Sequence, residues 1–301
     1  MMKHYLSIDV GGTHIKYALF DESGKLLQKN HCETPQNLEA FLVVVGQLIA
    51  AFAEQIRGVA VSCPGKIDTE TGIIYYGGAL TYLHELNLSK HIWEKFGLSA
   101  TVVNDGKAAA LAEFWQGNLR GVNHGLALIL GTGIGGGIIS DGKLLLGQHF
   151  QAGELSLMAV PSETLRPLDM LGMNGSAVRM IGRVAEKLGL ENRKDGRAVF
   201  EAINAKDERV YPIFQDFCRN IAYLIYNVQA VLDMKRVVIG GGISAQSVVL
   251  EEIQAQYQSI LNGLGPFQFM VTPIDIQLCA FGSEANLIGA IYQLMLMEKG
   301  L

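Results

Sequence analysis

Cysteine is scarce in this 301-residue chain: the four present, Cys32, Cys63, Cys218 and Cys279, stand far apart with no CxxC spacing. That argues against a disulfide framework and a structural zinc site, and leaves reduced, buried thiols as the expectation. No apolar run approaches the roughly 20 residues that a bilayer span needs, and MMKHYLSIDV has no cleavable leader pattern, so neither a membrane nor an export route is expected. A cytoplasmic location follows. Basic clusters are missing as well. The 24 Lys and Arg are scattered among 29 Asp and Glu for a net charge of −5, which argues against a nucleic-acid partner or an anionic surface. With 49% hydrophobic and 18% charged residues the chain is far from disorder and long enough for two domains. Two familiar phosphate-binding patterns are also absent. There is no GxxxxGK[ST], and the glycine-rich turns lead into strands, not into the helix of a dinucleotide-binding βαβ unit.

Glycine, by contrast, is plentiful and placed. Asp9-Val10-Gly11-Gly12-Thr13 and the run Gly131 to Gly137 each follow an apolar β-branched segment and precede another. A turn stripped of side chains lets backbone N–H groups approach phosphate oxygens, and a carboxylate beside it suits Mg²⁺. Asp9 is thus a candidate to hold Mg²⁺ through water, and Gly11, Gly12, Thr13, Thr132 and Gly133 are candidates to contact phosphate; an incidental aspartate in a hairpin turn is the competing reading of the first. The third glycine turn, Gly240-Gly241-Gly242, follows Val237-Val238-Ile239, with Ser244 as the expected helix cap. It offers Gly241 and Gly242 as a platform for the nucleotide.

Periodicity places strands at 4–10, 15–20 and 26–30, an amphipathic helix through Phe41, Val45, Ile49 and Phe52, a strand at 58–62, a helix at 88–95, a strand at 100–103 and a helix at 106–116. From Gly125 the order begins again, with a helical insert at about 173–232 before the strand at 236–239. Such a repeat predicts two related halves facing one another across a cleft. Asn104-Asp105 ends the strand at 100–103, where open α/β folds present ligand-binding groups; an ordinary helix cap is the competing reading. A kinase of alcohols needs one carboxylate to accept the hydroxyl proton, and Asp105 is the candidate base. Glu154, in Ala152-Gly153-Glu154, reads either as a solvated carboxylate or, more sharply, as a sugar-hydroxyl acceptor.

DVGGTHIK at 9–16, CPGKID at 63–68, YYGGAL at 75–80, VVNDGKAAALAE at 102–113, GTGIGGGIISDGKLLLG at 131–147, AGE at 152–154 and IGGGI at 239–243 together resemble the ROK family of sugar kinases over nearly the whole chain. The resemblance implies a duplicated actin-like, ribonuclease-H-like α/β fold, with ATP and Mg²⁺ used to phosphorylate a sugar 6-hydroxyl. It implies Asp105 as general base, with Gly78, Asn104 and Glu154 binding the sugar. It also implies a smaller domain of 1–117 plus 285–301, a larger one of 118–284, and a homodimer formed through the latter.

One departure is informative. Typical members follow AGE with a glycine, a histidine and a cysteine cluster that holds zinc, whereas AGELSLMAVPSETLRPLDMLGMNGSA has Leu157 at the histidine position and no cysteine. No zinc site is expected. Leu157, Met158, Met170, Leu171 and Met173 then read either as core or as an apolar wall for an aglycone. This zinc-free pattern resembles the β-glucoside kinases of the family, which act on sugars such as cellobiose; glucose, fructose or N-acetylmannosamine are the alternative substrates. A sugar-sensing repressor would carry a helix-turn-helix before the first turn, where eight residues leave no room. A non-catalytic ATP-binding scaffold is separated from a kinase by sugar-stimulated ADP release.

Overall fold

Apolar β-branched runs and amphipathic stretches alternate along the chain, and the elements they form follow that alternation. The computed structural model describes residues 4–159, 166 and 169–300. In order these form β1 (His4–Val10), β2 (His14–Phe20), β3 (Leu26–Glu33), α1 (Leu38–Phe52), β4 (Ile56–Cys63), β5 (Lys66–Asp68), β6 (Ile73–Tyr76), β7 (Leu86–Asn87), α2 (Leu88–Phe96), β8 (Ser99–Asn104) and α3 (Asp105–Gln116). The second series is β9 (Gly125–Leu130), β10 (Ile134–Ser140), β11 (Lys143–Leu144), α4 (Leu171–Asn174), α5 (Ala177–Leu188), α6 (Gly196–Asn204), α7 (Tyr211–Leu232), β12 (Arg236–Gly240), α8 (Ser247–Gly263), β13 (Asp275–Leu278) and α9 (Ala285–Glu298). No described helix is long and apolar enough to cross a membrane.

Two units result. The first comprises Met1–Arg120, Leu144–Ala152 and Ser283–Leu301. Its sheet runs β3-β2-β1-β4-β8, with the first three strands antiparallel and β1, β4 and β8 parallel. The second comprises Gly121–Lys143 and Gly153–Gly282, and its sheet runs β11-β10-β9-β12-β13. Here too β9 and β10 are antiparallel while β9, β12 and β13 are parallel. The repeat in the sequence is therefore a repeat of topology: a hairpin followed by parallel strands brought in by helical crossovers. This is the duplicated actin-like plan expected from the sequence.

Burial explains the elements. In the first unit α1 turns Phe41, Val45 and Ile49 onto β-sheet residues such as Leu6, Ile8, Val59 and Val61, all almost fully buried. The alanines of α3 have a different purpose. Ala108, Ala109, Ala110 and Ala112 are buried, and a Cβ added to Gly289 of α9 would stand 1.7 Å from the Ala108 carbonyl oxygen. Small residues let α3 and α9 approach backbone to backbone, which fixes the helix that begins at Asp105.

The structure differs from the sequence reading in several places. Gly135, Gly136 and Gly137 belong to β10, and only Gly131 to Gly133 make the second turn. Crowding requires glycine within the strand at Gly136, where a Cβ would lie 2.4 Å from the Ala127 carbonyl oxygen. Ser244 does not cap α8; its hydroxyl donates to Gly241 O at 2.8 Å and closes the turn. A three-stranded antiparallel sheet, β5-β6-β7, was not foreseen, because strands of two to four residues carry too little periodicity. The segment Leu144–Ala152, expected within 118–284, packs with the first unit. The buried Lys107 ammonium holds it there by donating to Phe150 O at 2.7 Å. Cys63 and Cys218 are buried as expected, whereas Cys32 and Cys279 are half-buried.

Candidate active site

Three parallel strands of the first unit end together, and chemistry gathers at their carboxyl ends. Register aligns Asp9 of β1 with Ser62 of β4, and Cys63 of β4 with Asn104 of β8. Open α/β sheets place ligand-binding groups at this edge. Asn104 caps α3: its side-chain oxygen accepts the Lys107 N–H at 3.1 Å. Its amide also donates to Gly65 O at 2.9 Å, so the residue ties the CPG loop to the start of the helix. The two readings of Asn104, cap and site residue, are thus compatible. Asp105 follows in the first helical turn, where the positive end of the helix favours a carboxylate, and its Oδ1 accepts the Gly106 N–H at 2.8 Å. Gly78 stands in the turn after β6, against the Pro64 ring of the CPG loop.

Asp9 is almost buried, at 6% exposed. Its Oδ1 accepts from the Asn286 amide at 3.1 Å, and its Oδ2 faces the Lys16 ammonium at 3.6 Å. Burial pushes the Cys63 thiol well up from its ordinary range, and the charges of Asp105 and Asp9 add to the effect. Both carboxylates therefore act on one side chain. A single engaged carboxylate suits Mg²⁺ held through water, since this ion keeps several waters and takes one or two protein carboxylates with phosphate oxygens. Among the described residues no three or more His, Cys, Asp or Glu are grouped to enclose a metal. Residues 160–165 and 167–168 of the stretch where no zinc site is expected lie outside the described residues.

The first turn is closed by the bond from Gly11 N–H to His14 O at 3.0 Å. Thr34, a residue the sequence reading passed over, clamps it: Thr34 N–H donates to Thr13 O at 3.0 Å and its hydroxyl to Gly11 O at 2.6 Å. Asn286 was missed too, because it reaches Asp9 from 277 residues away. The Thr13 side chain is exposed.

In the second unit the turn is closed by Gly131 N–H to Gly133 O at 3.0 Å. Its clamp is Ser156, whose hydroxyl accepts from Ile134 N–H at 3.0 Å and donates to Ile134 O at 2.8 Å. The first turn of α5 adds a bond from Ala177 N–H to Gly131 O at 3.0 Å. Thr132 is exposed at the turn's tip. Gly131 and Gly242 also line a cavity of about 510 Å³ with Val178, Phe200 and Ile243 as apolar walls and Arg197, Glu201 and Asn204 as polar groups. Its size and lining suit a flat heterocycle. Glu154, half-buried, precedes a single 3₁₀ turn, and two exposed apolar side chains stand on the neighbouring segments: Leu157 (57%) and Met173 (39%). The backbone joins these segments through Leu171 N–H to Met158 O at 2.7 Å.

The glycines divide by what requires them. Gly241 has φ of +101° and an added Cβ would lie 2.1 Å from Leu130 O, so the fold itself demands glycine. Gly12, Gly131 and Gly242 lie outside the left-handed region, and an added Cβ would meet nothing within 4 Å. The protein alone gives no reason for glycine at these three positions.

A model of the ROK family matches residues 5–296. The chain belongs to the ROK family. A β-glucoside kinase of Listeria monocytogenes is 27% identical over 302 residues, 97% of this chain and 98% of that one. Among solved structures, a ROK family protein from Streptococcus pneumoniae TIGR4 in complex with sucrose is 28% identical, with a TM-score of 0.88 over 99% of this chain and 100% of that one. A ROK family glucokinase from Streptomyces griseus in complex with glucose and AMPPNP is 25% identical, with a TM-score of 0.78 over 95% of this ROK chain and 97% of that one.

Proposed function

We propose that this ROK-family, ATP-dependent sugar kinase transfers the γ-phosphoryl group to the 6-hydroxyl of a glucose unit, with a β-glucoside such as cellobiose as its favoured substrate. The observation that carries the reading is the meeting of Asp9, the CPG loop and Asn104-Asp105 at the ends of three adjacent parallel strands. In this assignment Asp105 accepts the proton of the attacking 6-hydroxyl, while Gly78, Asn104 and Glu154 bind the sugar. The bond from Gly106 N–H orients the carboxylate at the start of α3 before the substrate arrives. Gly11, Gly12 and Thr13 in one unit, and Thr132, Gly133, Gly241 and Gly242 in the other, bind ATP. The adenosine belongs to the cavity at Gly242. Asp9 would hold Mg²⁺ through water, and the ion when bound neutralises charge on the nucleotide's phosphates.

Exposed Leu157 and Met173 beside Glu154 support the β-glucoside over free glucose, since an apolar surface gains from a second ring or an aglycone and not from water. The likeness to the Listeria β-glucoside kinase points the same way, and the likeness to the Streptomyces glucokinase supports glucose as the second reading. Use of ATP supports a cytoplasmic location. Phe267, Phe269 and Met270 are exposed at 65%, 86% and 70%, and Phe267 and Met270 border a cavity with Tyr226 and Ala230 of α7. An apolar patch of this kind supports a homodimer through the second unit; Phe269→Asp shifts the sedimentation coefficient to that of a monomer if so.

The test is ADP release measured side by side with cellobiose, an aryl β-glucoside and glucose. The proposal expects kcat/KM for the β-glucosides to exceed that for glucose about tenfold or more, one well-packed apolar group being worth that factor. Equal or greater efficiency on glucose supports the glucokinase reading, and no sugar-stimulated ADP release refutes both.

A further inference from the structure

Phosphoryl transfer spreads negative charge over the moving group, and proteins meet it with fixed cations. The lysine of a GxxxxGK[ST] loop is missing here. Lys16 is a cation beside the first unit's glycine turn. It is the cross-strand partner of Asp9, two rungs of β2 beyond His14 and the glycine turn. Its ammonium lies 3.6 Å from Asp9 Oδ2, longer than the 2.7–2.9 Å or so of a charge-assisted hydrogen bond, so the pair is loose. The Lys16 side chain is 38% exposed against 8% for Asp9, and it opens on a cavity of about 430 Å³ shared with His14, Lys29 and His31. Lys29 is engaged by Glu284 at 2.8 Å. A buried acid, a loosely held cation and a glycine with open space at its Cβ position, Gly12, thus adjoin one turn.

We propose that Lys16 is a catalytic residue: its ammonium contacts the terminal phosphates of the bound nucleotide and stabilises their charge as the phosphoryl group leaves. Asp9 restrains the lysine so that it points along the turn and not into bulk water. The assignment rests on the kinase reading above and names its charge-stabilising group. A purely structural ion pair is the alternative, and it leaves nucleotide affinity alone.

Calorimetric titration with Mg²⁺ and AMPPNP separates the two. Lys16→Met weakens AMPPNP binding about 10- to 100-fold and lowers kcat at least about tenfold, while KM for the sugar holds; Lys16→Arg restores most of the affinity. AMPPNP affinity within about twofold of the parent, or a rise confined to the sugar KM, overturns the proposal. Should Lys16→Met fail to fold, the comparison of Lys16→Gln with Lys16→Arg decides, and equal nucleotide affinity in the two overturns it. An unaltered protein that binds AMPPNP but phosphorylates no sugar refutes the kinase reading and leaves the Lys16 measurement intact, so the two failures are distinguishable.

Discussion

The two glycine turns share a topology and differ in what surrounds them. The first turn, in unit one, has an acid at its base, a lysine opposite and an asparagine brought in from α9, all within reach of Asp9. The second, in unit two, has no charge of its own and borders an apolar cavity walled by helices of the insert. Each is clamped by a hydroxyl from elsewhere in its unit, Thr34 in one case and Ser156 in the other. Duplication supplied the same hairpin twice; the residues that converge on the first copy include an acid and a lysine, and those beside the second are mostly apolar, with Arg197 and Glu201 at the cavity's edge. The comparison teaches that one backbone turn, repeated, acquires a different chemical setting from residues remote in sequence.

That contrast can be broken at either turn. The largest effect belongs to the acid beside the first unit's strand ends: Asp105→Asn loses about 10³-fold or more in kcat with AMPPNP affinity unchanged, as a steady-state assay and a titration together will show. Next is Gly241→Ala, which must move backbone 2.1 Å away and adopt a left-handed φ. It costs about 3 kcal/mol of stability and is read as a lower denaturant midpoint. Gly12→Ala sharpens the contrast, because the free protein has room for the methyl. It should unfold with the parent's midpoint yet bind AMPPNP about tenfold more weakly; equal weakening of both would make Gly12 a structural glycine. Leu157→Ala, at the apolar surface of the second unit, lowers kcat/KM for an aryl β-glucoside a few-fold and leaves glucose unchanged. Smallest is Thr34→Val, which removes the bond to Gly11 O and leaves a partly buried acceptor short of a donor. It costs about 1 kcal/mol, a melting-point drop of a few degrees.

Much of this arrangement was legible beforehand because it is local. Asp9 to Thr13 and Asn104-Asp105 are strand ends followed by turn or cap residues, and β-branched runs announce such ends. The duplicated sheet followed from repetition of the same order. What was hidden was long-range or crowded. Thr34, Ser156 and Asn286 act across 23, 22 and 277 residues, and nothing in their own neighbourhoods marks them. The glycine run at 135–137 looked like loop because composition cannot reveal that the neighbouring strand leaves no space for a side chain at Gly136. Leu144–Ala152 looked like part of the second unit because the buried Lys107 that anchors it reads, in sequence, as one more helix-surface lysine.

The central claim is that Asp105 receives the proton of the sugar's attacking hydroxyl. A crystal structure of the unaltered protein with AMPPNP, Mg²⁺ and cellobiose tests it directly. The account predicts a carboxylate oxygen of Asp105 within about 3.2 Å of the 6-oxygen of the non-reducing glucose. A sugar bound with that oxygen turned away, out of reach of Asp105 even through one water, would contradict it.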